Sequence, residues 1–306
     1  MRPSVRQLEC AVAVADARHF GRAARGCAVS QPALSAQVRA LEDALGVQLF
    51  ERGRRGVTVT RAGEEVVARA RVALRALDDL LEAARATREP LSGPLHLGVI
   101  PTVAPYLLPG WLRSVRRRQP RLALYLHEEK TDDLVRGLRE GRLDALLLAL
   151  PVPGDDLDSL ALFEEPFLLA APTSHPLARR RRGAVTERDL EGETVLLLED
   201  GHCLREQALA VCARAGAREA EQVRASSLGT LVEMVANGLG VTLLPESARA
   251  VEVRGRRELA VLPFRPPAPH RRIGLLWRRA SARADDYRRL GELLRPGRAG
   301  AAGSGS

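Results

Sequence analysis

The sequence predicts a two-part α/β protein: a winged helix-turn-helix and a long helix, then an α/β domain of about 200 residues with two lobes. Three observations predict this fold class. Short amphipathic helices, a tight turn and a hairpin fill the first 60 residues. A heptad pattern of apolar residues follows them. Beyond a break rich in Pro and Gly, strand-like and helix-like segments alternate.

The first 60 residues have the pattern of a helix-turn-helix with a wing. Apolar spacing predicts helices at 5–17 and at about 22–27. Ser30 is a good N-cap for a third helix, which Gly46 ends. The residues predicted to face inward from this third helix are Leu34, Val38, Leu41 and Leu45. Residues 49–60 predict a hairpin with a basic tip.

The third helix is predicted to read DNA. Small polar groups and one arginine near its start suit base edges and phosphates, and arginines on a wing suit phosphate or the minor groove. The candidate DNA-contacting residues are Ser30, Gln31, Pro32, Ser35, Arg39, Arg54 and Arg55. The net charge is +9, and residues 1–60 hold nine arginines against five acidic residues. A three-helix pattern can also reflect packing or a protein-binding module, but the wing, the charge and the following helix favour double-stranded DNA.

Segment 61–92 predicts a long dimerisation helix and a hinge, with Thr60 as the cap. Its apolar residues are spaced three and four apart: Val67, Ala70, Leu74, Leu77, Leu81 and Ala84. A long helix with one apolar seam needs a partner, so we expect a homodimer through this segment. Packing against its own chain is the weaker alternative. Prolines and glycines at 90–94 mark a linker.

Residues 93–296 alternate between strands and helices, which predicts α/β units on largely parallel sheets. The expected strands are 95–100, 122–127, 143–150, 193–198, 222–225, 241–244 and 273–277. The expected helices are 104–119, 132–140, 202–215, 228–237 and 285–294. This length suits two similar lobes with a cleft between them. The tail 297–306 is rich in Gly, Ala and Ser and is predicted to be disordered.

Several functions are excluded by what the sequence lacks. The apolar runs are only strand-length and the N-terminal region has no signal-peptide pattern, so we expect a cytoplasmic protein with no membrane contact. There is no Gly-x-Ser-x-Gly motif and no Walker loop, so we predict a non-enzyme without cofactor or metal. Four cysteines in a cytosolic chain of this length do not indicate a disulfide framework.

Cys203 and Cys212 lie on one predicted helix. Near the N-terminus of that helix, backbone N–H groups, the helix dipole, His202 and Arg205 favour a Cys203 thiolate, the form that peroxide oxidises. Nine residues of helix separate the two cysteines by about 13 Å and put them on opposite faces. A disulfide needs Cα atoms within about 7 Å, so it requires the helix to unwind. Such a bond would be a conformational signal.

Other interpretations of the cysteines stay open at this point. Two cysteines on an α/β helix are more often ordinary core residues than a switch. Metal binding is weaker still, because Cys-x8-Cys beside a histidine is not a zinc-like spacing. Cys10 and Cys27 fall within the three-helix core and are predicted to be packing residues.

The N-terminal motifs resemble the DNA-binding domain of the LysR-type transcription regulators. The matching runs are FGRAA at 20–24, VSQPALS at 29–35, LE at 41–42, LGVQLFER at 45–52 and TRAG at 60–63. The resemblance implies a winged helix-turn-helix, a linker helix and a two-lobed effector domain like the periplasmic binding proteins. It also implies dimers that pair into tetramers.

The remaining chain, to about residue 294, resembles the peroxide-sensing members of that family. The matching segments are 95–109, 127–128, 196–209 and 225–245, together with Cys212. The resemblance implies that hydrogen peroxide oxidises Cys203 to a sulfenate, which Cys212 converts to a disulfide. The peroxide-binding roles that it implies fall on Thr102, Thr131, His202 and Glu206, the last a carboxylate where some relatives have aspartate. It further implies that the rearranged tetramer shifts on promoter DNA, changes contact with RNA polymerase and activates an oxidative-stress response.

Three functions therefore compete. The leading hypothesis is a peroxide-responsive transcription regulator. The nearest alternative is a LysR-type regulator that binds a small metabolite in the cleft and has inert cysteines. The third is a thiol peroxidase that carries a DNA-binding module, which sustained turnover with a recycling reductant would indicate.

Overall fold

The computed structural model describes residues 2–53, 56–86, 90–179 and 183–295. The chain divides into two compact units, one formed chiefly by residues up to Ala86 and the other chiefly by residues from Pro90 onward. The predicted wing-tip arginines Arg54 and Arg55 lie outside the described residues, as does the predicted tail 297–306. No helix within the described ranges combines the length and the apolar character that a membrane span requires.

The first unit contains the three helices and the hairpin that the sequence predicts. These are α1 (Val5–Ala17), α2 (Phe20–Gly26), α3 (Gln31–Leu45), β1 (Phe50–Gly53) and β2 (Gly56–Val59). Each helix begins at a side-chain cap: Ser4 for α1, His19 for α2 and Ser30 for α3. The two strands pair antiparallel as a wing.

The inward face of α3 is confirmed for three of its four predicted residues. Leu34, Val38 and Leu41 are buried, whereas Leu45 is 38% exposed. Leu45 is the last residue of α3, and Gly46 then turns the chain in the left-handed region at φ 68°. After that turn Leu49 fills the core, so the prediction that Leu45 faces inward is wrong.

The long helix α4 (Arg61–Ala86) begins as predicted, because Thr60 Oγ1 accepts a hydrogen bond of 2.9 Å from the Gly63 amide. Its apolar seam has two environments. Val67 packs into the core of the first unit, as the alternative of packing on its own chain expected. Leu77, farther along the seam, is 40% exposed. Leu80, which lies outside the seam, is 67% exposed. The side chains from residue 81 to the end of α4 lie outside the described part of the structure.

The second unit has two lobes, each with its own hydrophobic core. The elements of lobe I are β3 (Gly93–Val99), α5 (Ala104–Arg118), β4 (Leu122–Glu128), α6 (Thr131–Arg139), β5 (Ala145–Leu150), β11 (His270–Arg278) and α10 (Ala284–Leu294). The elements of lobe II are β7 (Thr194–Leu198), α7 (Cys203–Ala215), β8 (Arg218–Ala225), α8 (Leu228–Ala236), β9 (Thr242–Pro245), α9 (Arg249–Glu252) and β10 (Leu259–Pro263). The 16-residue strand β6 (Leu157–Pro172) contributes to both cores.

The sheets are mixed, which corrects the expectation of largely parallel sheets. In lobe I, β3 is parallel to β4 and β5, but β11 is antiparallel to both β5 and β6. In lobe II, β9 and β10 run antiparallel to β6, and β7 pairs with β8 in parallel. The antiparallel pairs arise because the chain leaves lobe I along β6 and returns along β11 in the opposite direction.

Candidate sensing site and DNA-contact surface

The N-terminus of α7 forms part of the wall of a cleft of about 750 Å³ between the two lobes. Four residues that the sequence singled out line this cleft: Thr131, His202, Cys203 and Glu206. Lobe I contributes Thr131 from the start of α6, and lobe II contributes the other three from the start of α7. The predicted site residues therefore meet from two separate segments of the chain.

Cys203 and Cys212 lie on one continuous helix, about two and a half turns apart. Cys203 is the first residue of α7 and is partly exposed to the cleft, whereas Cys212 is buried in the lobe II core. They are nine positions apart along the helix, a rise of about 13 Å. Burial raises the pKa of the Cys212 thiol, which keeps it protonated. The two sulfurs therefore cannot bond while α7 is intact.

The cleft wall holds buried polar atoms that have no partner in the described part of the chain. They are Thr131 Oγ1, His202 Nε2 and Gln207 Oε1. A buried polar atom without a hydrogen bond costs about 1–3 kcal/mol, so such atoms favour a ligand that can satisfy them. A small molecule with both hydrogen-bond donors and acceptors fits this wall. The sequence did not single out Gln207, although it follows Cys203 by one turn of α7.

His202 occupies the N-cap position of α7, but its side chain makes no capping hydrogen bond. Burial, and then the positive charge of Lys130, lower the pKa of His202 below its ordinary value. The imidazole beside Cys203 is therefore neutral near pH 7, with one nitrogen to donate and one to accept a hydrogen bond. Its contribution at the site is hydrogen bonding rather than charge.

Arg205 faces lobe II partners rather than the cleft. Its Nε lies 2.9 Å from Asp200 Oδ1, and its Nη2 lies 2.8 Å from Glu219 Oε1. Arg224 also contacts Asp200, at 3.0 Å. The sequence favoured Arg205 as a charge that stabilises a Cys203 thiolate. In the structure the Arg205 guanidinium is paired with the carboxylates of Asp200 and Glu219, and the Asp200 contact holds the loop that precedes α7.

Lys130 connects lobe I to the same loop. Its Nζ lies 2.7 Å from Glu199 Oε1 and donates a hydrogen bond of 3.0 Å to the Asp200 carbonyl oxygen. The Lys130 side chain also packs over Gly201, where the backbone has a φ of 89° and an added Cβ would lie 3.0 Å from Lys130 Cδ. Lys130 is the only lysine in the chain. We call these contacts the Lys130 bridge.

Thr102, the fourth predicted peroxide-binding residue, is absent from the cleft lining and lies behind Arg271, which does line it. Arg271 is buried and donates to Thr102 Oγ1 and to the Thr102 carbonyl oxygen, both at 2.9 Å. Its Nε lies 2.7 Å from Glu165 Oε2. This buried pair fixes Thr102 and joins β6 to β11. Sequence reasoning missed both members of the pair.

The candidate DNA-contacting residues of α3 share one exposed side. Ser30, Gln31, Pro32 and Arg39 are exposed, and Ser35 is partly exposed. Ser30 Oγ accepts a hydrogen bond of 3.4 Å from the Ala33 amide, which fixes the first turn of the helix. The opposite face is the buried one described above, so α3 presents a small polar surface with one arginine to solvent.

Among the described residues, no group of three His, Cys, Asp or Glu side chains could hold a metal ion.

A winged helix-turn-helix, a long helix and a two-lobed domain with a cleft define a transcription regulator with a separate sensing domain. Comparisons with known families agree. Residues 5–64 match the bacterial regulatory helix-turn-helix protein, lysR family, and residues 88–299 match the LysR substrate binding domain. The chain belongs to the LysR family of bacterial transcription regulators.

Several individual proteins are similar to this chain over nearly its whole length. The DNA-binding transcriptional dual regulator OxyR of Escherichia coli K12 is 48% identical over 292 residues, which cover 95% of each chain. A full-length OxyR variant from Pseudomonas aeruginosa is 37% identical with a TM-score of 0.80, covering 96% of this chain and 98% of that one. A hydrogen-peroxide-bound OxyR variant from Corynebacterium glutamicum is 38% identical with a TM-score of 0.67, covering 96% and 92%.

Proposed function

We propose that the protein is a DNA-binding transcription regulator that senses hydrogen peroxide through Cys203. The observation that carries the proposal is the position of Cys203 at the first turn of α7, in a cleft beside buried polar atoms without partners. The Cys203 sulfur attacks one peroxide oxygen, and the O–O bond breaks to give a sulfenic acid and water. The Cys212 sulfur then attacks the Cys203 sulfur. A second water leaves and the disulfide forms.

The cleft residues have distinct roles in this proposal. Thr131 and neutral His202 hydrogen-bond the peroxide, because each has a buried polar atom without a partner among the described residues. Glu206 lies on the exposed side of the same turn and accepts or returns a proton. Thr102 acts through Arg271, which holds it behind the cleft wall.

Disulfide formation is the step that carries the signal to DNA. Because about 13 Å of helix separates the two cysteines, closing the bond unwinds the start of α7 and reshapes lobe II. We propose that this change re-orients the regulator on promoter DNA in the cytoplasm, alters its contact with RNA polymerase and activates genes of the oxidative-stress response. The protein is a regulator in this proposal, not an enzyme.

The proposal includes a homodimer through α4, and dimers that pair into tetramers. Leu77 supports the dimer, because an exposed leucine on the heptad seam of a long helix is typical of a helix–helix contact. Sedimentation of a Leu77→Arg variant tests this part. The variant should dissociate at concentrations at which the unmodified protein is associated.

Mass mapping of thiols with DNA footprinting on the same samples tests the sensing step. After stoichiometric peroxide we expect a Cys203–Cys212 disulfide and a footprint that shifts its position on the DNA. Both the disulfide and the shift in position are absent in Cys203→Ser. The matched control is Ala210→Ser, which places the same side chain at an exposed position of α7. A Cys203→Ser variant with a normal peroxide response would contradict the proposal.

A second candidate is a regulator that binds a metabolite, because a cleft of about 750 Å³ is much larger than a peroxide molecule. It predicts a changed footprint with a small organic ligand and no change in thiol count. A thiol peroxidase is a third candidate. It predicts sustained peroxide consumption with a recycling reductant, whereas a sensor consumes a stoichiometric amount once.

A further inference from the structure

The DNA-binding unit contains a second pair of cysteines, on two different helices. Cys10 lies in α1 and is fully buried in the core of the first unit. Cys27 is the C-cap residue of α2 and packs against the same core, with part of its surface exposed. The two side chains are neighbours where the end of α2 packs against α1. Unlike the pair on α7, these two cysteines come from different helices, and no stretch of helix holds them apart.

The surroundings of the pair differ on its two sides. Burial, and then the neighbouring Cys27 sulfur, raise the pKa of the Cys10 thiol and keep it protonated. Arg6 lies on the open side, where its guanidinium donates a hydrogen bond of 2.6 Å to the Cys27 carbonyl oxygen and a bond of 2.9 Å to Glu9. A fixed positive charge therefore lies beside the exposed member of the pair.

We propose that Cys10 and Cys27 form a second redox-active dithiol, and that its oxidation to a disulfide weakens DNA binding by α3. The oxidant is a hydroperoxide. The sulfur of the partly exposed Cys27 attacks a peroxide oxygen, and the O–O bond breaks to leave a Cys27 sulfenic acid and water. The Cys10 sulfur then attacks the Cys27 sulfur, the S–O bond breaks, and the Cys10 proton leaves in a second water. Two thiols lose two electrons and two protons, and one peroxide becomes two waters.

The effect on DNA follows from where Cys27 lies. It precedes the tight turn at Ala28, where φ is 53°, and it stands three residues before Ser30, the N-cap of α3. A disulfide bond is about 2.0 Å long, shorter than any non-bonded contact between two sulfur atoms. Closing the bond therefore draws the turn toward α1. The first turn of α3, which carries the candidate base contacts, moves with it.

This inference stands apart from the sensing role of Cys203, so its test removes that site. The experiment uses the full chain with Cys203→Ser and Cys212→Ser, titrated with hydrogen peroxide, alkylated and cleaved at arginine. Cys10 then lies in peptide 7–18 and Cys27 in peptide 26–39, so a disulfide joins two separate peptides. We expect the joined peptides to appear with peroxide and to disappear with dithiothreitol. Full alkylation of both cysteines at every peroxide dose would overturn the proposal, as would Cys27 sulfinic acid beside a free Cys10.

The same samples are tested for DNA affinity by mobility shift. Oxidation should weaken binding by at least about fivefold, the loss of one base or phosphate contact, and dithiothreitol should restore it. Adding Cys27→Ser to this background keeps the buried Cys10 and should abolish both the joined peptide and the affinity change. Unchanged affinity with the disulfide fully formed would overturn the proposed effect on DNA.

Discussion

The two cysteine pairs differ in what separates their sulfurs. Cys203 and Cys212 lie about two and a half turns apart on one helix in lobe II, one partly exposed and one buried. Cys10 lies in α1 and Cys27 caps α2 in the DNA-binding unit, and both side chains pack in the same core. The chemistry of oxidation is the same for both pairs, but the first must break a helix before its bond can close.

This difference determines how large a structural change each disulfide can cause. A bond that requires about 13 Å of helix to unwind converts oxidation into a large change of shape. A bond between neighbouring cysteines on two packed helices requires no helix to unwind and moves only the residues next to it. The fold, rather than the reactivity of a cysteine alone, therefore separates a switch from a local cross-link.

The largest expected effect comes from removing the buried partner of the first pair. In Cys212→Ala, Cys203 should still be oxidised, but the disulfide and the footprint change should be lost completely. Loss of the buried sulfur should also lower the free energy of unfolding by about 1 kcal/mol. Trapping the sulfenic acid with a dimedone probe and footprinting the same sample measure this. Cys27→Ser is the control, since it leaves α7 unchanged. If Cys212→Ala kept the footprint change, the Cys203–Cys212 disulfide would not be the signal, and the two pairs would not differ as proposed.

Helix stability should control closure of the first pair only. Ala210 is an exposed residue of α7 between the two cysteines, and Ala210→Gly weakens the helix by about 1 kcal/mol. Cys203–Cys212 closure should therefore become about fivefold faster. The matched change Ala13→Gly in α1 should leave the rate of Cys10–Cys27 closure unchanged. Quenched-flow alkylation measures both rates, and equal acceleration in the two helices would show that unwinding does not limit the first reaction.

The Lys130 bridge should slow the first pair by a smaller amount. Lys130→Gln removes the ion pair with Glu199, so the loop before α7 should move more easily and disulfide closure should rise about threefold. The control is Arg136→Gln, which removes an exposed ion pair on α6 that does not contact the loop. Closure rates are compared at low and high salt. A slower reaction in Lys130→Gln would mean that the bridge assists the rearrangement rather than opposing it.

The smallest expected effect is a pH dependence that comes from His202. Because the pKa of His202 is lowered in the folded state, the unfolded chain binds the proton more readily. Stability should be complete above the ordinary histidine pKa of about 6.5 and should fall as the pH drops from there toward the folded value. Urea unfolding from about pH 8 to about pH 5.5 measures the slope. His202→Gln should flatten it, and an unchanged slope would assign the dependence to another group.

Much of the fold was predictable because its signals are local. Ser30 and Gly46 mark the ends of α3 within the sequence, and the structure confirms both. Strands β6 and β10 were not predicted. In β6 the apolar pattern is interrupted by Glu165. The cost of burying this carboxylate is offset by Arg271, which is 106 residues away along the chain. No local pattern in the sequence identifies such a distant partner.

The parts of the candidate site that depend on neighbouring residues were also predictable from the sequence. The position of Cys203 beside His202 near the start of a predicted helix, and its spacing from Cys212, could be read along the chain. The contacts of Lys130 and Arg271 could not, because both residues bind groups in distant segments. For the same reason the sequence assigned Cys10 and Cys27 to packing, since their side chains become neighbours only when α1 and α2 pack together.

Hydrogen exchange of the full chain, before and after stoichiometric peroxide, measures directly whether α7 unwinds when its disulfide forms. The amides between Cys203 and Cys212 should lose their protection once mass mapping shows that the bond is complete, while α1 should keep its protection. Recovery on reduction should restore the original pattern. A fully formed Cys203–Cys212 disulfide in a chain whose α7 amides stay as protected as in the reduced protein would contradict the proposed switch.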